Sequence, residues 1–469
     1  MPASAPYNPR LVGWLSLAQL ISWGSVFYLF ALVMGPIERE LGLSRVQSSL
    51  AFSLCLLADG LLAYPVGRLI DRGHERAVMT AGSLLLALGL LLHAFVTSLA
   101  GFYAVWVLLG VGMSATLYPP VFAVVTRRFP TDFRRAIITM TFLGGLASTV
   151  FIPLTAWLID GLGWRGAVMV LAAINLVVCA PLHCFWLKYA PVALVHDIPK
   201  IVANNPIDST AYDRYDSSPL NNEPLQPTGS LLGNTGAARQ TQAAMRTASA
   251  TPTRQVSASP LAAHLKSAPY LLIGLAISCM TVATAALPSH MVTLLREYGL
   301  DERWVIAIPA SIGVLQVFGR LLLYFFEHHM DVHLANRLIP GLMPLGLALL
   351  LLAPLLTTPK SQLMLMFLMS FVLLWGMGNG MLTIVKGTAV AQYVSREHVA
   401  SLNGALGFPL ALVRAAAPLG LGLLWTVEAG YRNGLLVMLV MGVAGTVALA
   451  LAQRSAQRVS PDPAVKAPG

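Results

Sequence analysis

Twelve long apolar segments dominate this sequence and constrain its fold more than any other feature. Each is close to the ~20 residues that an α-helix needs to cross the hydrocarbon layer of a membrane. Lipid offers no partners for unpaired backbone groups, so the segments are predicted to be helices. The predicted spans cover residues 11–33, 46–68, 77–97, 101–125, 136–160, 166–187, 268–294, 304–326, 338–357, 363–388, 401–425 and 434–452.

The composition agrees with a chain that folds in lipid. Only 11% of the 469 residues are charged and 56% are hydrophobic, whereas a soluble domain carries about 25% charged residues. The mean hydropathy is +0.70. We therefore predict an all-α, multi-pass membrane protein.

The positive charges predict the orientation of the chain. The formal net charge of +10 is gathered into short clusters in alternate loops, which is typical of cytoplasmic loops and argues against nucleic-acid binding. The first apolar segment lacks a basic leader, so it is predicted to be a retained helix. We expect both termini in the cytoplasm, most naturally at a bacterial inner membrane. The main clusters are Arg68, Arg72 and Arg76; Arg127, Arg128, Arg134 and Arg135; and Arg454 and Arg458.

Four regions are predicted along the chain. Residues 1–187 and 268–453 each contain six apolar segments and are predicted to form two helical bundles. Residues 188–267 are rich in Ser, Thr, Pro and Asn, a composition too polar to fold alone, and we predict a disordered cytoplasmic linker. Residues 454–469 form a cytoplasmic tail.

The two predicted bundles share short sequence matches in the same order. Gly42-Leu43 corresponds to Gly299-Leu300, and Gly163-Trp164-Arg165 corresponds to Gly430-Tyr431-Arg432. A duplicated six-helix unit is typical of secondary transporters, whose binding site lies between the repeats. The sequence therefore predicts a pseudo-symmetric transporter with a central site.

Signatures of enzymes and of bound cofactors are missing from the sequence. It contains no phosphate-binding P-loop, no His-Glu-x-x-His motif and no nucleophile–base arrangement. The four cysteines lie in or beside apolar segments without metal-ligand spacing. We predict no enzymatic activity, no cofactor and no metal, so an ion or solute gradient has to drive transport.

The loop after the second segment, Gly67-Arg68-Leu69-Ile70-Asp71-Arg72-Gly73-His74-Glu75-Arg76, resembles the signature of the major facilitator superfamily. Gly67, Asp71 and Arg72 fit that signature, whereas the second glycine comes one place early and Glu75 replaces a basic residue. The resemblance implies two six-helix bundles, alternating access and a conformational latch formed by Gly67, Asp71 and Arg72. The alternative is that this loop only sets the topology.

The stretch that ends at Arg320 resembles the helix 7–8 region of monocarboxylate-type carriers. The resemblance implies that Arg320 anchors a carboxylate. Gln316 replaces the acidic partner of that group, and its lysine on the first helix has no counterpart here. Arg320 and Arg414 also resemble the cation pair of oxalate/formate antiporters.

Three charges lie deep inside predicted spans, where a charged side chain costs about 2.5–3.5 kcal/mol to insert and is rarely idle. Arg320 and Arg414 are predicted to bind an anionic substrate, because guanidinium groups match carboxylates. Asp59 is predicted to couple transport to protons. The alternatives are that Asp59 only pairs with an arginine and that Arg320 extends to the membrane surface.

Further polar residues are candidates for the central site. Asn379, Tyr118 and Tyr28 are predicted to contact the substrate, and Trp23 and Ser25 to line the same pathway. His290 is a second candidate for coupling because histidine titrates near neutral pH. A lone histidine is also compatible with a purely structural role.

The sequence thus predicts a monomeric secondary transporter for a small, monocarboxylate-like organic anion, coupled to protons or to a counter-ion. The alternatives are an efflux or exchange carrier for a toxic compound, a siderophore or a dicarboxylate, and a membrane sensor that does not transport.

Overall fold

The structure is a computed structural model that describes residues 7–129, 132–187, 261–326, 332–395 and 398–459. Regular structure in these ranges is helical, apart from one isolated bridge between Thr426 and Gly430. Residues 188–260 of the predicted linker and 460–469 of the predicted tail lie outside the described residues. The end of the predicted linker differs from a disordered segment, because Leu261–Leu265 is a short helix.

Eleven continuous helical stretches are long and apolar enough to cross a membrane. One of them, Arg135–Trp186, has 52 residues, enough for two passes. Its helix breaks at Gly163, where φ is 72°. The described chain therefore has twelve spans, as predicted. TM1 to TM6 are residues 9–41, 45–71, 75–93, 99–128, 133–162 and 164–186; TM7 to TM12 are 268–297, 302–326, 332–356, 362–393, 399–423 and 432–459.

The helices that build these spans have the following bounds. In the first half they are Pro9–Ser22, Leu29–Leu41, Arg45–Asp71, Glu75–His93, Leu99–Thr116, Tyr118–Arg128, Phe133–Gly145, Ala147–Ile174 and Ala180–Trp186, with π-helical turns at Trp23–Phe27 and Asn175–Cys179. In the second half they are Leu261–Leu265, Ala268–Glu297, Glu302–Phe326, Val332–Leu356, Gln362–Tyr393, Val399–Leu423 and Arg432–Val459.

The matches between the two halves correspond to equivalent turns. Gly42 and Gly299 end TM1 and TM7 with φ of 63° and 73°. Gly163 and Gly430 precede TM6 and TM12 with φ of 72° and 52°. Only glycine adopts this left-handed conformation at little cost. The repeat seen in the sequence is therefore a repeat of backbone geometry.

Contacts between loops define two faces of the helix assembly. On the terminus face, where TM1 begins, Arg128 of TM4 binds Glu75 at the start of TM3 with an N–O distance of 2.6 Å. On the opposite face, Arg165 at the start of TM6 binds Glu40 at the end of TM1 at 2.5 Å. Successive spans therefore run in opposite directions between the two faces.

Each half has its own aromatic core, while the outer surface is apolar. Phe30, Phe52 and Trp106 interlock in the first half, with Phe30 and Phe52 stacked at a centroid distance of 4.7 Å. Large apolar side chains such as Trp157 and Val440 are 70% and 66% exposed. Such exposure is stable in lipid and unfavourable in water.

The halves touch at the opposite face and separate toward the terminus face. On TM2 and TM11, a Cβ on Gly60 would lie 2.7 Å from Ala411 Cβ, so the helices are in close contact there. Nearer the terminus face, Gly67, Gly404 and Gly407 have no neighbouring atom within 4 Å of such a Cβ. The interface between TM2 and TM11 thus opens beyond Gly60 and Ala411.

Candidate functional site

A central cavity lies between the two halves. It has a volume of about 210 Å³, several times the ~30 Å³ that one water molecule occupies in the liquid. TM1, TM4 and TM5 line it from the first half, and TM7, TM8, TM10 and TM11 from the second. Its position between the repeats is the position that the internal duplication predicts.

Arg320 reaches from TM8 across the cavity to the first half. Its Nη1 donates a 2.6 Å hydrogen bond to the carbonyl oxygen of Thr141 on TM5. Gly145 permits this approach, because a Cβ there would lie 3.2 Å from Nη1. Among the described residues no carboxylate forms a salt bridge with Arg320, so its charge is held by uncharged groups.

Arg414 also lines the cavity, but its charge is neutralised. Its Nη2 forms a salt bridge with Asp59 on TM2, and the Asp59 side chain is only 10% exposed. The pair joins TM2 to TM11 one residue before Gly60, where the two helices begin to separate. Asp59 thus holds the halves together at this level.

The three other predicted substrate contacts meet in the same cavity. Tyr28 from TM1, Tyr118 from TM4 and Asn379 from TM10 all line it. Arg320 lines the same cavity. The structure therefore brings together every residue that the sequence assigned to substrate binding.

TM1 changes its helical geometry where it borders the cavity. Trp23–Phe27 is a π-helical turn, closed by a 3.3 Å bond from the Tyr28 N–H to the Trp23 carbonyl oxygen. Such turns are rare and often occur at functional sites. A second π-helical turn, Asn175–Cys179 on TM6, packs behind it. The buried amide of Asn175 donates a 2.9 Å hydrogen bond to Ser25 Oγ and so links the two turns.

His290 lies away from the cavity, in a polar network that joins the halves near the opposite face. The buried imidazole contacts the Tyr431 hydroxyl at 3.0 Å, the Pro418 carbonyl oxygen at 3.1 Å and Ser49 Oγ at 3.4 Å. These partners satisfy both ring nitrogens, which is the geometry of a structural histidine.

Arg45 dominates that network. It lies 3.0 Å from Glu38 within its own half and 3.4 Å from Glu297 of the other half, and it binds the Tyr431 hydroxyl. Its guanidinium also lies 4.9 Å from the centre of the Trp425 ring. Charge pairing and aromatic contact therefore close the opposite face.

The predicted latch lies at the terminus face without a contact to the other half among the described residues. Asp71 and Arg72 are exposed, and the space beside Gly67 is open. The neighbouring basic residue Arg127 instead contacts Glu75, at 3.3 Å. These positions match a molecule whose halves are apart at this face.

The Major Facilitator Superfamily profile matches residues 15–418. The chain belongs to the major facilitator superfamily. Its members are transporters, which confirms the predicted membrane fold and the prediction of a transporter rather than an enzyme. The substrate of such a protein is a small molecule.

Curated relatives are more specific but match only part of the chain. Monocarboxylate transporter 13 of Bos taurus is 34% identical over 181 residues, which are 34% of this chain and 42% of that protein. Monocarboxylate transporter 11 of Mus musculus is 31% identical over 172 residues, 33% of this chain and 38% of that protein. The chain thus matches about two fifths of the length of these relatives.

Solved structures agree on the fold at low sequence identity. The POT family transporter PepTSo superposes with a TM-score of 0.66 at 13% identity, covering 97% of this chain and 100% of that one. A bacterial homologue of the human lysosomal transporter Spinster, inward-facing and occupied, gives 0.65 at 15% identity, with 98% and 100% coverage. These similarities support the architecture alone.

Sequence reasoning missed several parts of the site. Trp375 on TM10 and Thr281 and Thr284 on TM7 line the cavity, and nothing distinguishes them in the sequence from other residues of apolar spans. The link between Asn175 and Ser25 was also missed, although a lone asparagine in an apolar span signals a buried polar contact. Gly144 and Gly145 also line the cavity, where the absence of a side chain permits the close approach of Tyr118 and Arg320.

Proposed function

We propose that this protein is a secondary active transporter for a small, singly charged organic anion, with Arg320 as the anchor of the carboxylate. The observation that carries the proposal is the charge of the cavity wall. Arg320 and Arg414 both line the cavity, but Arg414 is paired with Asp59. Among the described residues of the cavity wall, Arg320 therefore carries one uncompensated positive charge, which is the complement of one carboxylate.

The same charge count disfavours a dianion. Its second carboxylate would lose water without meeting a free cation, and burying an unpaired charge is costly. A dicarboxylate has to displace Asp59 from Arg414 to find a second partner. The curated relatives, which are named monocarboxylate transporters, support the singly charged substrate.

Asp59 is our candidate for coupling to protons. It is buried at the level where TM2 and TM11 separate, and its only salt-bridge partner among the described residues is Arg414. Protonation of Asp59 removes the salt bridge between the halves and frees Arg414. Proton binding is thereby linked to movement of the halves, which is what symport requires. The contacts of His290 make it the weaker candidate.

We further propose that the termini face the cytoplasm, in a bacterial inner membrane, and that the protein acts as a monomer of two bundles, 1–187 and 268–453, joined by the linker 188–267. Basic side chains at the terminus face, including Arg72, Arg76 and Arg127, support this orientation. The cavity then opens to the cytoplasm in the state that the structure describes.

The test is uptake by purified protein in proteoliposomes with an imposed pH gradient. Labelled acetate, lactate, benzoate and succinate form the panel. We expect at least one monocarboxylate to accumulate when the gradient is present, and succinate to remain at the background level. The proposal fails if no acid of the panel enters or binds, or if Arg320→Ala leaves uptake of the best substrate unchanged while the protein inserts normally.

A second candidate is exchange of one organic anion for another, without protons. Gln316 favours it, because this uncharged residue of the cavity wall stands one turn before Arg320, where the monocarboxylate-type carriers have an acid. Preloading the vesicles with unlabelled acid separates the two mechanisms. An exchanger requires the internal acid and ignores the pH gradient, whereas a symporter responds to the gradient with empty vesicles.

A further inference from the structure

Part of the cavity wall is aromatic. Trp23 and Phe27 on TM1, Tyr118 on TM4 and Trp375 on TM10 all line the cavity. The Trp23 ring lies 5.1 Å from both the Phe27 and the Tyr118 ring, measured between centroids. Tyr118 and Arg320 approach two consecutive residues of TM5, Gly144 and Gly145, so Tyr118 connects the aromatic wall to the anion anchor.

The π-helical turn explains why TM1 presents so many rings to one side. In an α-helix, residues 23 and 27 share a face but residue 28 points elsewhere. The wider π turn, bonded from residue i to i+5, brings Trp23, Phe27 and Tyr28 to the cavity together. The π-helical geometry of the backbone therefore places these three aromatic side chains in the cavity wall.

The link from TM6 holds this turn in place. Ser25 lies in the middle of the π turn and is buried, and its hydroxyl accepts the hydrogen bond from Asn175. Asn175 itself is anchored by a 2.9 Å bond to the Leu171 carbonyl oxygen. Asn175 does not line the cavity, so it is a positioning residue for the rings.

We infer that the cavity selects organic anions with a flat aromatic body, whose ring packs against the Trp23 and Phe27 rings and whose carboxylate meets Arg320. This inference rests on the proposed function and names the substrate class of the same site. Aromatic pairs are worth about 0.5–1.5 kcal/mol beyond the area they bury. That energy corresponds to a preference of about 2- to 12-fold over a non-aromatic ring of similar size.

The test compares benzoate with cyclohexanecarboxylate and acetate. Binding to the purified full-length protein is measured by calorimetry, and uptake is measured in proteoliposomes. We expect benzoate to bind at least about 2-fold more tightly than cyclohexanecarboxylate, as the lower end of the aromatic pairing energy requires, and acetate to bind most weakly. Equal binding of the two ring acids, or tighter binding of acetate, overturns the inference.

Variants of the aromatic wall test whether it causes the preference for benzoate. Trp23→Leu is expected to bring the ratio of benzoate to cyclohexanecarboxylate affinity to about one. Asn175→Ala is expected to lose roughly half of the binding free energy that favours benzoate, because the rings are then only partly held in position. Trp14→Leu is the matched control, because Trp14 lies on the same span and packs on Trp186 outside the cavity. An unchanged ratio in Trp23→Leu contradicts the inference.

Failure of the aromatic inference can be distinguished from failure of the proposed function. Arg320→Ala is expected to weaken both ring acids by the same factor and to leave their ratio intact, because it removes the anion anchor and not the aromatic wall. If Arg320→Ala abolishes uptake while acetate and cyclohexanecarboxylate are preferred, the transporter proposal stands and the aromatic inference fails. If no acid binds, both fail.

Discussion

Arg45 and Arg320 both cross between the two halves, yet their surroundings differ. Arg45, near the opposite face, is enclosed by Glu38, Glu297 and the Tyr431 hydroxyl. Arg320, in the cavity, meets the carbonyl oxygen of Thr141 and no carboxylate among the described residues. An arginine supplied with acids closes an interface, whereas one without them offers its charge to an incoming anion. The presence or absence of nearby carboxylates thus distinguishes the arginine that closes the opposite face from the arginine of the central cavity.

Replacing Arg320 is expected to have the largest effect. Removing one partner of a desolvated charge pair costs about 2–5 kcal/mol, so Arg320→Ala should lower substrate affinity by roughly 30-fold or more. Arg320→Lys should retain part of it, because lysine keeps the charge but loses the planar fork. Uptake and equilibrium binding measure both variants.

The control for this change is Arg303→Ala. Arg303 lies at the start of the same helix with its side chain 78% exposed. We expect wild-type uptake from it. A loss of transport similar to that of Arg320→Ala would show that the effect comes from general damage to TM8. That result would contradict the claim that Arg320, unlike Arg45, offers its charge to a substrate.

Asp59→Asn should have the next largest effect, on energy coupling rather than on binding. A pH difference of one unit supplies about 1.4 kcal/mol per proton, enough for about tenfold accumulation in a one-to-one symporter. The variant should equilibrate its substrate without accumulating it, while exchange of labelled for unlabelled acid continues.

The double variant Asp59→Asn/Arg414→Gln distinguishes coupling from a structural pair. A purely structural pair predicts that the second change restores gradient-driven accumulation, because no uncompensated charge remains. We expect accumulation to stay absent. Restored accumulation would assign Asp59 to structure alone.

Glu297→Gln should have a moderate effect at the opposite face. It weakens the contact of Arg45 between the halves and leaves the cavity untouched. We expect a several-fold faster reaction of an introduced thiol, Ser49→Cys, with an impermeant reagent added to that side, since exposed pairs contribute up to about 1 kcal/mol. An unchanged rate would mean that the apolar contacts close this face by themselves.

Asp301→Asn should have the smallest effect. Asp301 pairs with Lys360 at the same face but within one half, at 2.8 Å. This lysine holds the pKa of Asp301 below its ordinary value. The pair is therefore intact at neutral pH and is lost only as the pH falls through that lowered pKa. Thiol reactivity at residue 49 should equal that of the parent protein at pH 7.

The sequence predicted the membrane spans and the charged residues of the site. Apolar runs of the required length gave twelve spans, because few other structures are stable in a membrane. Arg320, Arg414 and Asp59 were recognisable because charges are rare in such runs. The glycine matches predicted the repeat, and the backbone angles at Gly42 and Gly299 explain the match.

Pairing between distant residues was harder to predict. No local pattern indicates that Asp59 meets Arg414, or that Arg45 meets Glu297, because these contacts depend on how the halves pack. The π-helical turns at Trp23–Phe27 and Asn175–Cys179 were missed for a similar reason. Each occurs in a sequence that suits an ordinary helix, and the hydrogen bond between them becomes possible only after the spans assemble.

The most direct test of the central claim compares an acid with its amide. The best monocarboxylate of the uptake panel and its uncharged amide are titrated into purified wild-type protein and into Arg320→Gln. Hydrogen bonds to charged groups contribute about 1.5–3 kcal/mol, so we predict that wild type prefers the acid by about tenfold or more and that the variant does not discriminate. Equal affinities in wild type, or a preference that survives in the variant, would contradict the assignment of Arg320 as the anion anchor.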